Sequence, residues 1–174
     1  MRAPNLTTDR LHLRELTEDD AGFVRRLLNE PAFLRFIGDR GVRTTAEARD
    51  YIRQGPIASY RRHGFGLYLV ELKGLPTAIG LCGLIKRDSL EDVDIGYAFL
   101  PEFWSKGYAL EAAQAVLAHG IEVIGLRRIV AIVSPDNERS EKVLGKLGLR
   151  FERMLTWPDD GSELKLYGLD SPAT

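Results

Sequence analysis

The sequence contains a single cysteine, Cys82, and only three histidines. One cysteine cannot form an intrachain disulfide, and its place in an apolar segment predicts a buried, unreactive thiol rather than a nucleophile. A reducing cytoplasmic location agrees with this. His12, His63 and His119 lie far apart in the chain and match no metal-ligand spacing, so no metal is predicted.

Long apolar runs and an excess of one charge are also missing. No stretch approaches the length needed to cross a bilayer, and residues 1–10 lack the apolar core of a secretory signal. The 24 Lys and Arg residues face 25 Asp and Glu residues, for a net charge of −1. Direct nucleic-acid binding and membrane association are therefore not expected. The chain also lacks a phosphate-binding loop, a dinucleotide-binding glycine motif and a Gly-x-Ser-x-Gly nucleophile elbow.

The composition is that of one globular domain over residues 1–174, with 44% hydrophobic and 28% charged residues. Periodicity and turn signals predict the order β-α-α-β-β-β-α-β-α-β-β. The predicted strands are 11–14, 67–72, 78–85, 92–99, 128–133, 149–155 and 162–167. The predicted helices are one after Thr17 that ends at Asn29-Glu30-Pro31, then 45–54 closed by Gly55-Pro56, 108–124 and 138–147. This order predicts an α+β fold with a mixed sheet covered by helices.

The most informative segment is Asp94–Ala112, which is predicted to form a strand, a loop and the start of a helix. The small residues Ser105, Gly107 and Ala109 leave the first N–H groups of the helix open to a close approach. The helix dipole and Lys106 add positive potential. Together they predict an anion site suited to a pyrophosphate, although small residues at a helix start also occur for packing alone.

This segment resembles the acetyl-coenzyme A pyrophosphate loop of the GNAT N-acetyltransferases, most closely their RimJ/RimL-like branch. Trp104-Ser105-Lys106-Gly107-Tyr108-Ala109 is similar to the family pattern Gln/Arg-x-x-Gly-x-Gly/Ala, with Trp104 in place of Gln or Arg. Residues 6–14 resemble the opening strand of the branch, and Asp94-Ile95-Gly96-Tyr97 resembles its Glu-Ile-Gly-Tyr strand. Asn137-Glu138-Arg139-Ser140, followed by Leu147-Gly148-Leu149, resembles its Asn-x-x-Ser helix and Leu-Gly-Phe ending.

The resemblance implies the GNAT fold, a largely antiparallel six- to seven-stranded sheet with about four helices, splayed at the central strands by a bulge near Gly96. It implies acetyl coenzyme A as co-substrate and no metal. The pantetheine arm would bond to the backbone at Phe99 and Leu100, and the pyrophosphate to the N–H groups of residues 104–109. The cofactor-binding residues implied are Phe99, Leu100, Trp104, Ser105, Lys106, Gly107, Tyr108, Ala109, Asn137 and Lys142. Lys142 could equally be a solvated surface lysine.

The implied reaction is acetyl transfer to an amine, which must lose a proton while the thiolate is stabilised. Asp94 stands where related enzymes often carry a glutamate base, and alternation places Asp92, Asp94 and Gly96 on one face. Aspartate is shorter than glutamate, so proton transfer through a bridging water is the alternative to direct contact. Ser140 matches the serine near the sulfur, whereas Leu144 occupies the position of the usual family tyrosine. Tyr97 and Tyr167 are predicted to be packing residues.

The resemblance favours a protein or peptide N-terminal α-amine as acceptor. The alternatives are a small amine, amino acid or antibiotic, and, in another class, a non-catalytic acyl-coenzyme A sensor. Segments 33–40, 60–65 and 157–161 are expected to shape the acceptor cleft, with Arg35, Arg40 and Trp157 as the first side chains of interest. Homodimers are common in the family, and one is an expectation here.

Overall fold

The computed structural model describes residues 4–172 and contains one eight-stranded sheet. The strand order is β1-β2-β3-β4-β5-β6-β8-β7, and every neighbouring pair is antiparallel except β5 and β6. The strands are β1 (Leu6–Thr7), β2 (Leu11–Glu15), β3 (Leu67–Leu72), β4 (Thr77–Ile85), β5 (Asp94–Phe99), β6 (Arg128–Val133), β7 (Arg150–Thr156) and β8 (Glu163–Asp170). The predicted mixed, largely antiparallel sheet is confirmed, with β1 as an additional strand.

Within residues 4–172, six α-helices cover the sheet. They are α1 (Ala21–Leu28), α2 (Pro31–Phe36), α3 (Thr45–Ile52), α4 (Ala58–His63), α5 (Tyr108–Ala118) and α6 (Glu138–Lys146). A 3₁₀ turn precedes α1, and π-helical turns at Arg53–Ile57 and His119–Ile124 follow α3 and α5. None of the helices within residues 4–172 is long and apolar enough to cross a membrane.

Two hydrophobic clusters fill the space on the two sides of the sheet. The larger one joins residues of the strands to α5 and α6, including Ala113, Val116 and Leu144. The second joins the other side to α1 and α3, including Val24 and Ile52. The strand β4 runs between them and is buried along most of its length, as its continuous apolar sequence predicts. Cys82 on β4 is fully buried, which confirms its predicted burial, and burial raises the pKa of its thiol.

The first helix ends at Asn29-Glu30-Pro31 as predicted, since α1 stops at Leu28 with Asn29 as its C-cap. Pro31 also begins α2, a helix that was not predicted, because the first position of a helix needs no N–H donor. Gly55-Pro56, by contrast, does not close the helical segment that contains α3. The chain passes through Pro56 in the π-helical turn and continues as α4, because the wider turn accommodates a residue that cannot donate.

Candidate active site

The strands β5 and β6 diverge at the centre of the sheet. Asp94 pairs with Val130, and this is the one β5–β6 pair in the sheet register. The strand β5 stays in register with β4 from Asp94 to Phe99, so the expected bulge near Gly96 is absent from this pair. The predicted splay is therefore present without that bulge. We call the opening between the two strands the central gap.

The backbone of β5 offers hydrogen-bonding groups to the central gap. Leu100 donates its N–H to the carbonyl of Ile79 at 3.0 Å. In an antiparallel pair, every second residue hydrogen-bonds to the neighbouring strand, so Leu100 and the residues two and four before it direct their backbone groups toward β4. Alternation then turns the backbone groups of Tyr97 and Phe99 away from β4 and toward the gap. An extended polar chain, such as a pantetheine arm, could pair with these groups, apart from the Phe99 carbonyl, which already accepts from the Trp104 indole. Leu100 was also predicted to bind the pantetheine arm through its backbone. Its N–H already donates to Ile79, and its side chain is only 1% exposed.

The loop before α5 has an unusual backbone. Ser105 and Gly107 both adopt positive φ angles, 61° and 81°, and Gly107 is the N-cap of α5. Within residues 4–172, none of the N–H groups of Ser105 to Ala109 donates a hydrogen bond. Since these groups lie at the positive end of the helix dipole, the loop fits a pyrophosphate. The N–H of Trp104 differs from the prediction, because it donates to the carbonyl of Pro101 at 3.1 Å.

Arg10 lies 96 residues before Lys106 in the sequence and holds this loop through hydrogen bonds. It was not among the residues predicted for the site. Its Nη1 donates to the carbonyl of Lys106 at 2.9 Å, and its Nε donates to Glu111 Oε1 at 2.8 Å. The guanidinium carbon lies 4.4 Å from the centre of the Tyr108 ring. Thr8 also donates to Glu111, at 2.5 Å, so both residues of the opening motif connect to α5. The only sequence signal was the resemblance of residues 6–14 to the family.

A second cation lies beside the loop. Arg139 on α6 stacks over Trp104, with 4.3 Å from its guanidinium carbon to the ring centre, and its Nη1 is 3.5 Å from Ser105 Oγ. The indole of Trp104 donates to the Phe99 carbonyl at 2.8 Å, which connects the loop to the end of β5. Lys142 is exposed further along α6, and Lys106 is exposed in the loop itself. Arg139 is therefore a phosphate-side candidate that the sequence did not single out.

The start of α6 contains the predicted Asn137 and Ser140. Asn137 caps the helix, and its Oδ1 accepts from the N–H of Ser140 at 3.2 Å. The hydroxyl oxygens of Tyr97 and Ser140 are 2.8 Å apart. Burial raises the pKa of Tyr97, so its hydroxyl remains protonated at neutral pH and can donate. The packing role predicted for Tyr97 thus omitted a direct contact with the candidate acid.

Asp94 lies at the base of the central gap and is 1% exposed. Its Oδ1 accepts from Nε of Arg87 at 3.0 Å. Burial raises the pKa of this carboxyl, against the lowering effect of Arg87. The predicted common face of Asp92 and Asp94 is wrong, because β5 begins only at Asp94 and Asp92 accepts from Arg128 Nε at 3.0 Å.

The side chains expected to line the acceptor cleft form a separate group of contacts. Arg87 lies below Trp157, with 5.9 Å between its guanidinium carbon and the ring centre. Arg35 on α2 forms a salt bridge of 3.2 Å with Asp136, the residue before Asn137. This bridge connects α2 to the loop that leads into α6, so it links two walls of the expected cleft.

Comparison with known proteins agrees with this geometry. Residues 10–150 match the acetyltransferase (GNAT) domain family. The chain belongs to this family and is an acyltransferase whose acyl donor is acetyl coenzyme A. The match includes the loop before α5, the central gap and the start of α6, and the unsatisfied N–H groups of residues 105–109 fit the phosphates of that donor.

Individual relatives leave the acceptor open. The chain is 31% identical over 154 residues to the uncharacterized N-acetyltransferase YoaA of Bacillus subtilis, covering 87% of this chain and 86% of that protein. It is 27% identical to spermidine N(1)-acetyltransferase of Escherichia coli K12, covering 80% and 73%. The fold is shared with RimL, the ribosomal L7/L12 α-N-protein acetyltransferase solved with coenzyme A, at a TM-score of 0.81, 20% identity and coverage of 97% and 98%.

Proposed function

We propose that this protein transfers the acetyl group of acetyl coenzyme A to the α-amine of a protein or peptide N-terminus. The observation that carries the proposal is the state of Asp94, the candidate base. This carboxyl is almost completely buried and already accepts from Arg87, so we infer that an amine proton reaches it through a water molecule and not by direct contact.

An α-amine suits such a base better than a lysine side chain does. The pKa of an α-amine is about 8 and that of a lysine side chain about 10.4, a difference of roughly 2.4 units or about 3.3 kcal/mol. The α-amine is thus deprotonated at lower cost near neutral pH. The shared fold with RimL, which acts on a protein α-amine, supports the same acceptor.

The bound thioester supplies an electrophilic carbonyl and a thiolate leaving group. In the proposed mechanism, residues 105–109 hold the phosphates and the gap-facing backbone of β5 orients the acyl donor. Asp94 receives the amine proton through water. Ser140, held by Tyr97, donates a hydrogen bond to the leaving sulfur and so stabilises the thiolate.

A small amine is the second candidate, favoured by the similarity to spermidine N(1)-acetyltransferase. A test that separates the acceptors uses peptides that each carry one free amine, either α or ε, with the other blocked by acetylation. Mass spectrometry would locate the added acetyl group, with spermidine assayed in parallel. We expect the α-amine peptides to react fastest, and faster turnover of ε-amine peptides or of spermidine would refute the proposal. Coenzyme A binding without turnover of any amine would favour a sensor.

A further inference from the structure

Asp94 occupies an unusual position for a carboxylate. Among residues 4–172, it is the only charged residue that is buried, with 1% exposed. It pairs with Ile85 on β4 and with Val130 on β6, so its neighbours on both adjacent strands are apolar. A charge moved from water into such surroundings is strongly disfavoured unless a group of opposite charge accompanies it. The ionisation of Asp94 therefore depends on the groups that face it.

The group of opposite charge is Arg87, in the connection between β4 and β5. Its Nε donates to Asp94 Oδ1 at 3.0 Å, and its side chain is 26% exposed. Trp157 lies over the guanidinium, with 5.9 Å between the guanidinium carbon and the ring centre. A partly buried ion pair of this kind is screened by solvent and salt much less than an exposed one. The charge of Arg87 therefore acts strongly on Asp94.

Within residues 4–172, no other ion pair competes for these two side chains. Arg87 and Asp94 form salt bridges only with each other. Lys86, the other charged group that faces Asp94, donates its ammonium to two backbone carbonyls of the same connection. Asp92, the nearest carboxylate along the chain, is held by Arg128 at 3.0 Å. The guanidinium of Arg87 is thus committed to Asp94.

We infer that Arg87 is a positioning residue of the proposed reaction, which keeps the Asp94 carboxylate ionised and fixes its orientation at the base of the central gap. A general base must be unprotonated before it can accept the amine proton, and a nearby positive charge favours that form in an apolar site. Arg87 acts through Asp94 and needs no contact with acetyl coenzyme A or with the acceptor. The inference rests on the proposed function, in which Asp94 receives the amine proton.

Removal of the Arg87 charge should affect the pH dependence of activity in one direction. Burial raises the pKa of Asp94 and Arg87 lowers it, so without Arg87 the carboxyl should keep its proton up to a higher pH. The loss of activity on acidification should then begin at a higher pH. A purely structural role of Arg87 would instead reduce activity by the same factor at every pH.

The experiment measures kcat/KM for an α-amine peptide from about pH 5 to about pH 10 in the wild type and in two Arg87 variants. The acceptor amine titrates identically in each case, so a displacement between the profiles belongs to the enzyme. We expect Arg87→Gln to move the acidic limb upward by about one pH unit or more, which is a loss of about 10-fold on that limb, with recovery at high pH. Arg87→Lys keeps the charge without the Nε geometry and should move the limb less.

Arg128→Gln is the matched control. Arg128 is 27% exposed, and its Nε donates to Asp92 at 3.0 Å in the same connection. Its loss should leave the acidic limb in place. In addition, Arg87→Gln introduced into Asp94→Asn should cause little further loss, because Arg87 acts only through Asp94. A thermal shift with coenzyme A verifies that each variant is folded, and Arg87→Lys decides the question if Arg87→Gln does not fold.

Each failure has its own signature. An acidic limb that stays in place in the folded Arg87 variants, or that moves equally in Arg128→Gln, would overturn the inference and leave the proposed function standing. A loss by one factor at every pH, or a large further loss in the double variant, would do the same. Absence of acetylation of every amine by the wild type, with coenzyme A still bound, would overturn the proposed function and this inference with it.

Discussion

The hydroxyl oxygen of Tyr97 lies 2.8 Å from that of Ser140, which joins one edge of the central gap to the first turn of α6. The Tyr97 oxygen is also 3.2 Å from the Ser140 carbonyl, to which it can donate. When Tyr97 donates to Ser140 Oγ instead, the serine proton is free to point elsewhere. Tyr97 thus acts as a positioning residue for the candidate acid.

Removing either hydroxyl should slow the chemical step. We expect Tyr97→Phe to lower kcat about 10-fold with coenzyme A affinity unchanged, the loss of one aligned hydrogen bond. Ser140→Ala should lower kcat by a similar or larger factor, and the double variant should add little. Steady-state kinetics and a coenzyme A thermal shift measure both effects. Tyr167→Phe is the control, because its hydroxyl donates to Glu141 on the same helix. Additive losses would contradict the pairing.

The loop assignment can be tested with two glycines of matched backbone conformation. Gly107 and Gly125 have φ angles of 81° and 82°, so valine should strain both. An added Cβ at Gly107 would lie 3.2 Å from Arg10 Nη2, whereas the space at Gly125 is open. A ligand at 100 times its Kd stabilises the folded state by about 2.7 kcal/mol. We expect coenzyme A to stabilise Gly125→Val to about this extent but not Gly107→Val. An equal thermal shift in the two variants would refute the assignment.

Arg10 should contribute to coenzyme A affinity more than to stability. Its side chain is 45% exposed, and exposed ion pairs stabilise a protein by only about 0–1 kcal/mol. Arg10→Gln releases the Lys106 carbonyl, so the loop loses its fixed shape, and we expect coenzyme A to bind about 10-fold more weakly. Isothermal titration calorimetry measures this change. Arg53→Gln, which removes an exposed contact to Glu18, is the control. Unchanged affinity in Arg10→Gln would exclude the positioning role.

Asp94→Asn keeps the size of the side chain and removes the candidate base. We expect turnover to fall about 10²-fold or more if the carboxylate accepts the amine proton. Because Asp94 is remote from the loop residues that would hold the phosphates, the coenzyme A thermal shift should persist. Wild-type turnover of Asp94→Asn at neutral pH would require another base.

The pH dependence of stability offers an independent test of Asp94. Burial raises its pKa above 3.8, so the folded chain binds the proton more tightly than the unfolded chain. Its contribution to the free energy of unfolding is full below pH 3.8 and is lost as the pH rises through the raised pKa. Asp20 and Glu111 have lowered pKa values, so their contributions to stability increase with pH. Only the difference between the wild type and Asp94→Asn therefore isolates the contribution of Asp94.

We therefore expect the free energy of unfolding of the wild type, minus that of Asp94→Asn, to decrease from about pH 4 to pH 7. Urea unfolding at a series of pH values measures it. A difference that stays constant or increases with pH would show that the pairing with Arg87 outweighs burial.

Most of the fold was predicted from local patterns in the sequence. Alternation and turn residues place β3, β4 and β6 close to their observed bounds, and helical periodicity predicts α5 and α6. The two-residue strand β1 has too few residues to show a period, and its pairing with Leu13 becomes visible only in the sheet. The end of the first helix before Pro31 was predicted correctly, but the helix end at Gly55-Pro56 was wrong, because a π-helical turn accommodates a residue that cannot donate an N–H.

The sequence by itself predicted the candidate phosphate-binding loop, because small residues before a helix leave its first backbone N–H groups accessible. Only the tertiary structure decided which side chains serve that loop and the central gap. Arg10 and Glu111 are 101 residues apart, and Tyr97 and Ser140 are 43 apart, so no local pattern connects them. The burial of Asp94 against Arg87 likewise depends on the helices packed over both faces of the sheet. Desolvation and charge pairing depend on distance in space, and a sequence lists only distance along the chain.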